Sequence, residues 1–192
     1  KSLPKKPHTA TIGMGMTIAK PGALTSLVKK LGENGIKLVL DASALIPQVL
    51  SEICETDTII TPHPGEFKRI FNEDVGVTEK EILSIVSKMA IKHKVTIILK
   101  GWLNVIADES GKIAIIKRTT PAMNVGGTGD VLAGLVAALY SRTNSSFDAS
   151  AMAVYFNGVA AAIAAEKVGL HMIATDLIDN IPNAMKPFDK VS

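Results

Sequence analysis

The run Asn124-Val125-Gly126-Gly127-Thr128-Gly129-Asp130 holds the residue types that phosphate chemistry needs. Its three glycines let backbone approach a ligand closely and aim successive N–H groups at it. Val131, Leu132, Leu135, Val136 and Leu139 follow at helical spacing, so the loop opens a helix. A helix N-terminus carries partial positive charge, which favours a phosphate. Asp130 then stands at the mouth of an anion hole. Its carboxylate could accept a proton from a hydroxyl while the amides stabilise a transferring phosphoryl group. The competing reading is a glycine turn in which Asp130 only caps the helix. The run lacks Gly-Lys-Ser/Thr, so it is not a P-loop. No strand followed by Gly-x-Gly-x-x-Gly is present, so it is not a dinucleotide fingerprint.

Other chemistry-bearing residues are scattered along the chain. Thr61-Pro62-His63-Pro64-Gly65-Glu66-Phe67 places an imidazole and a carboxylate in a rigid turn. His63 could bind substrate there, and Glu66 could hold a water or Mg²⁺ through oxygen. A Pro-Gly turn with Glu66 favouring a helix start explains the same residues. Lys100-Gly101 ends an apolar run. It offers a cation for phosphates and room for a nucleotide, or simply a lysine snorkelling at a sheet edge. Gly13-Met14-Gly15 is a backbone approach or a tight turn, and Asp41 a site charge or an N-cap. His8, His93 and His171 lack metal-like spacing and read as surface or packing residues.

The elements that must position these residues follow from periodicity. Short strands are expected at Thr9–Ile12, Ile36–Leu40, Thr58–Thr61 and Val95–Leu99. A helix with Pro21 in its first turn buries Leu24, Leu27, Val28 and Leu31. Thr78 and Glu81 form a capping box that starts another, with Ile82, Ile85, Val86 and Met89 on its inner stripe. Val105–Ala107 and Ile113–Ile116 flank the polar turn Asp108–Lys112 as a hairpin. After the glycine loop come an Ala-rich helix over roughly Asp148–Lys167 and a short one near Thr175. The β-α-β order predicts an α/β fold: a mainly parallel sheet flanked by helices, in a single domain over 1–192. Gly13, Asp41, Thr61–His63 and Lys100 all fall just past the C-terminal ends of strands, the edge where such sheets bind ligands.

Composition agrees and excludes alternatives. The 192 residues are 47% apolar but only 4% aromatic, so the interior is built from Ala, Val, Ile and Leu. The net charge of +3 comes without a Lys/Arg run, which argues against nucleic acid. Cys54 is the sole cysteine, excluding an intrachain disulfide or a cysteine zinc cluster, and points to a reducing compartment. No stretch reads as a membrane span and no signal peptide is visible, so the cytoplasm is the expected location. The chain opens on Lys1 rather than Met, which suggests a piece of a longer protein.

Taken together, the His63–Glu66 turn, Leu99-Lys100-Gly101 and Asn124–Gly134 resemble the ADP/ATP-dependent NAD(P)H-hydrate dehydratase family in order and approximate spacing. That family is ribokinase-like and is often labelled carbohydrate kinase. The resemblance runs from about Thr9 to the last helix and omits the family's N-terminal glycine-rich part. It implies a repair reaction in which the hydrate of NADH or NADPH is phosphorylated from ADP or ATP and loses phosphate, with Mg²⁺ on the phosphates. It further implies that Asp130 is catalytic and contacts substrate together with Gly15 and His63. Lys100, Gly101, Trp102, Leu103 and Asn104 would line the adenylate, and Gly126, Gly127, Thr128 and Gly129 the phosphates. A homo-oligomer, commonly a tetramer, is implied as well.

Two segments depart from the family pattern. Its Gly-Pro-Gly-Leu-Gly is here Gly13-Met14-Gly15-Met16-Thr17, and its Asp-Ala-Asp-Ala/Gly-Leu-Asn is Asp41-Ala42-Ser43-Ala44-Leu45-Ile46. Both lie in the substrate half. A ribokinase-like small-molecule kinase without the elimination step therefore stays open, as does an inactive nucleotide-binding remnant.

Overall fold

The computed structural model describes residues 7–54, 56–117 and 120–189. Six strands form one sheet in sequential order: β1 (Thr9–Ile12), β2 (Lys37–Leu40), β3 (Thr58–Ile60), β4 (Thr96–Leu99), β5 (Leu103–Ala107) and β6 (Ile113–Lys117). The first four run parallel, and the β5–β6 hairpin adds two antiparallel strands.

Alternation along the strands builds two cores. Leu38, Leu40, Ile60, Ile97, Leu99, Leu103 and Val105 face one side. There they meet α1 (Pro21–Glu33), α2 (Leu50–Ile53), α3 (Pro64–Phe71) and α4 (Glu79–His93). Val39, Ile59, Ile98 and Ile106 face the other side and pack on α5 (Thr128–Tyr140), α6 (Ser146–Val168) and α7 (Ala174–Met185). Sequential strand order gives this segregation, because successive right-handed crossovers put their helices on the same face.

The central strands are buried on both sides, so they read as unbroken apolar runs rather than alternating ones. Edge strand β6 alternates instead, with Ile113, Ile115 and Lys117 exposed. α4 starts at Thr78 with the expected reciprocal box: Thr78 Oγ1 accepts from Glu81 N–H, and Glu81 Oε2 accepts from Thr78 N–H.

One expectation needs correcting. The segment Ser146–His171 is long and apolar enough, by length and composition, to cross a membrane. Its apolar surface is instead mostly spent inside the fold, where α6 packs between α5 and α7. Residues 64–71 form a full helix, α3, in keeping with the reading that Glu66 favours a helix start.

Candidate active site

Parallel register brings the strand ends together. Ile12 pairs with Leu40, and Leu40 with Ile60. Gly13, Asp41 and Thr61 therefore emerge side by side. Asp41 N–H donates to the Ile12 carbonyl at 3.0 Å, and Thr61 N–H to that of Leu40 at 3.1 Å. Lys100 N–H reaches the Pro62 carbonyl at 2.8 Å, which extends the same rim across β4.

The glycine loop is wound onto the first turn of α5. Gly127 is the N-cap, with φ +90°, and a Cβ there would lie 2.9 Å from Ala174 Cβ. Only glycine meets both conditions without strain. Thr128 Oγ1 donates to the carbonyls of Met123 and Val125 at 3.0 and 3.1 Å, so the hydroxyl braces the loop. The first-turn amides are left for a ligand. Asp130 is exposed in that turn, and no side-chain cap bond is made. Among the described residues its carboxylate has no hydrogen-bond or ion-pair partner.

Beneath the loop lies a charge cluster with little solvent contact. Lys100 Nζ stands 2.6 Å from Asp41 Oδ1, which also accepts from Thr61 Oγ1 at 2.7 Å. The same ammonium is 3.7 Å from Glu66 Oε2. Asp41 is 1% exposed and Glu66 8%, so one lysine serves two buried carboxylates. A Cβ added to Gly129 would be 3.5 Å from Lys100 Nζ, which places the cation against the glycine loop as well.

His63 is the N-cap of α3. Its Nδ1 accepts from Gly65 N–H at 3.0 Å and Glu66 N–H at 3.3 Å. Glu66 Oε2 accepts from His63 N–H at 2.8 Å, closing a capping box. The ring is thereby held through Nδ1, which leaves Nε2 out of the cap, and its side chain is 57% exposed. Capping and ligand contact use opposite ring nitrogens, so the two readings of this turn are compatible. Glu66 Oε2 is committed to the cap, and Oε1 lies 3.6 Å from His63 Nε2.

The Gly13–Gly15 turn is pinned from below. Gly13 has φ +126°, and a Cβ there would collide with the Asp41 carbonyl. Ser43 Oγ donates to the Gly13 carbonyl at 2.6 Å. Arg69 holds the carbonyls of Ala42 and Leu45 through Nη2 and Nε. Gly15, exposed with φ +65°, has open space around its Cα.

On the far side of Lys100 a pocket of about 50 Å³ runs between β5, β6, α5 and α6. Asn104, Lys117, Met123, Leu132, Val154 and Asn157 line it, beside Thr128 and Gly129. Lys100 and Asn104 of the expected adenylate stretch face this pocket, and Asn104 Oδ1 also accepts from Gly101 N–H at 3.4 Å. Trp102 is 61% exposed, whereas Leu103 is buried in the opposite core.

Known proteins share the sequence pattern and the fold of this chain. A family model described as NAD(P)H-hydrate dehydratase matches residues 2–183. The chain belongs to the NAD(P)H-hydrate dehydratase family. It is 43% identical over 190 residues to the ADP-dependent (S)-NAD(P)H-hydrate dehydratase of Nitrosopumilus maritimus, covering 99% of this chain and 66% of that protein. The corresponding protein of Cenarchaeum symbiosum is 42% identical over 189 residues, with 98% and 66% covered. The chain thus spans just under two thirds of the length of these relatives. A Bacillus subtilis ADP/ATP-dependent NAD(P)H-hydrate dehydratase, co-crystallised with ATP/Mg²⁺, superposes with a TM-score of 0.83 at 26% identity. That match covers 97% of this chain and 67% of the other. A hydroxyethylthiazole kinase from Pyrococcus horikoshii shares the fold, with a TM-score of 0.75 at 20% identity over 95% of this chain and 76% of the other. The fold is the ribokinase-like one.

Against this family background, two features of the site had no sequence signal strong enough to find them. Asp41 and Lys100 are 59 positions apart, and spacing alone does not pair them. Asn157 lies within the Ala-rich helix α6, where a single amide amid apolar residues was the only sign.

Proposed function

We propose that this chain carries the catalytic half-sites of a nucleotide-dependent NAD(P)H-hydrate dehydratase. The observation that carries the reading is Asp130. It is an exposed carboxylate, with no partner among the described residues, in the first turn of α5 beside the glycine loop that Lys100 backs. Asp130 accepts the proton of the hydrate hydroxyl as that oxygen attacks the terminal phosphoryl group, whose bond to the bridging oxygen breaks to release AMP from ADP, or ADP from ATP. The amides of Gly127–Asp130 take up the charge that develops on the transferring group. The C–O bond then breaks with loss of inorganic phosphate, a proton leaves the neighbouring ring carbon, and the nicotinamide double bond returns. His63 Nε2 and the open backbone at Gly15 hold the hydrate on the opposite rim.

No group of three or more His, Cys, Asp or Glu residues suited to a metal occurs among the described residues. This donor set fits Mg²⁺ carried on the nucleotide phosphates and approached through water by Glu66 Oε1, not a protein-built cage. When bound, the ion would neutralise phosphate charge. ADP is the donor to test first, since the relatives at 42–43% identity are named ADP-dependent. We read the chain as one domain; the ends of its 1–192 span lie outside the described residues. A cytoplasmic homo-oligomer, free of nucleic acid and membrane, completes the proposal.

One observation favours a second reading. Ser43 spends its hydroxyl on the Gly13 carbonyl, and Ile46 packs on the core, so neither presents the carboxylate or amide of the family pattern to a substrate. A ribokinase-like kinase acting on another small alcohol would use the same glycine loop. The assay is incubation with NADH hydrate, Mg²⁺ and either ADP or ATP, following return of NADH absorbance. Recovery with either nucleotide supports the dehydratase. A stable phosphorylated product points to the kinase, and no reaction from the full-length protein sinks the dehydratase reading.

A further inference from the structure

Two buried side-chain polar atoms lack a hydrogen-bond partner among the described residues: Thr9 Oγ1 and Asn157 Oδ1. Asn157 is 3% exposed and lines the pocket beyond Lys100. The other buried polar side chains on α6 and α7 are satisfied. Ser150 Oγ donates to the Ser146 carbonyl, and Asn180 Oδ1 accepts from Lys167 Nζ. A buried carbonyl oxygen left without a donor destabilises the free protein, so its retention calls for a partner that arrives from outside.

The pocket indicates what that partner is. Its inner end is the phosphate position at Gly129 and Lys100. Its walls are Met123, Leu132 and Val154, apolar surfaces suited to the flat faces of a base. Asn157 is the polar group set among them. We propose that Asn157 is a specificity-determining residue whose Oδ1 accepts a hydrogen bond from an N–H or O–H donor on the nucleoside half of the phosphoryl donor. The donor is either the exocyclic amine of the purine or a ribose hydroxyl. At about 50 Å³ the pocket is too small for a whole nucleoside, so binding must also part the β5–β6 hairpin from α6. This inference rests on the nucleotide reading of the glycine loop.

Calorimetry on the wild-type protein and on Asn157→Leu tests it, using ADP, inosine diphosphate, 2′-deoxy-ADP and pyrophosphate. Leucine matches the shape without the acceptor. The expected result is that Asn157→Leu binds ADP about five- to tenfold more weakly, the worth of one neutral hydrogen bond, and binds pyrophosphate unchanged. Wild-type protein should discriminate against one analogue by the same factor, and the variant should lose that discrimination. Loss against inosine diphosphate assigns the amine; loss against 2′-deoxy-ADP assigns the hydroxyl. The unliganded variant should melt no lower than wild type, because an unpaired buried oxygen has been removed. Asn157→Ala repeats the comparison should the leucine not be accommodated. Equal affinities of variant and wild type for all three nucleotides overturn the proposal. So does an equal loss for pyrophosphate, which would assign Asn157 to packing. If wild-type protein binds no ADP, the nucleotide reading itself fails.

Discussion

Replacing Lys100 by methionine tests the charge cluster under the glycine loop. The lysine side chain is 17% exposed and that of Asp41 2%. Methionine keeps most of the volume but leaves Asp41 with Thr61 as its remaining side-chain donor, and Glu66 without a cation. Breaking a buried pair from one side costs about 3–5 kcal/mol, because a desolvated carboxylate is left uncompensated. The lower figure is the safer one here, since Lys100 keeps some contact with water and Thr61 still donates. For a chain of this size, about 3 kcal/mol lowers Tm by roughly 6–12 °C. Adding Asp41→Asn should recover much of that loss, because the amide oxygen still accepts from Thr61 without carrying charge. Thermal and urea unfolding of wild type, both single variants and the double variant form a closed cycle. A Lys100→Met protein within about 1 kcal/mol of wild type, or a double variant less stable than either single, would refute the reasoning. ADP affinity should also fall in Lys100→Met, since the ammonium faces Gly129.

Three further outcomes are expected. Gly13→Ala should unfold the protein or lower its Tm severely, because the new Cβ overlaps the Asp41 carbonyl, whereas Gly15→Ala meets open space and costs about 1–2 kcal/mol for its left-handed backbone. Circular-dichroism melts of the two variants separate these cases. Thr78→Ala should cost about 1 kcal/mol, the worth of an N-cap, read by urea unfolding. His93 is held below its ordinary pKa by burial and then by neighbouring Lys92. Its contribution to stability is therefore complete above the ordinary histidine value of 6.5 and is lost as pH falls through the lower folded value. A Tm–pH profile should fall on the acid side of that value, and His93→Asn should flatten the slope.

The sequence disclosed most where local chemistry repeats a known device. The Thr78–Glu81 box marked the start of α4, and the polar turn at Asp108–Lys112 marked the hairpin. The strand ends were legible because apolar runs stop at Gly13, Asp41, Thr61 and Lys100. The start of α3 was legible only through Glu66, because histidine seldom caps helices and its ring nitrogen here replaces the usual hydroxyl or carboxylate. The segment from Ala42 to Ile53 folds as two short 3₁₀ turns and a four-residue helix, too brief for periodicity to register. In the site, the glycine loop was readable from its own residues. What backs it was not. The Asp41–Lys100 pair and the unpartnered Asn157 depend on which strands and helices adjoin, which only the folded chain supplies.

The Gly126–Asp130 loop remains the centre of the functional reading, and Asp130→Asn tests it most directly. Asp130 is exposed and has no partner among the described residues, so the variant should keep wild-type stability and ADP affinity. Recovery of NADH from its hydrate should nevertheless fall by about 10²–10⁴-fold, the usual worth of a positioned proton acceptor. A variant that binds ADP normally and turns over within a few-fold of wild type would contradict the assignment of Asp130 as the catalytic carboxylate.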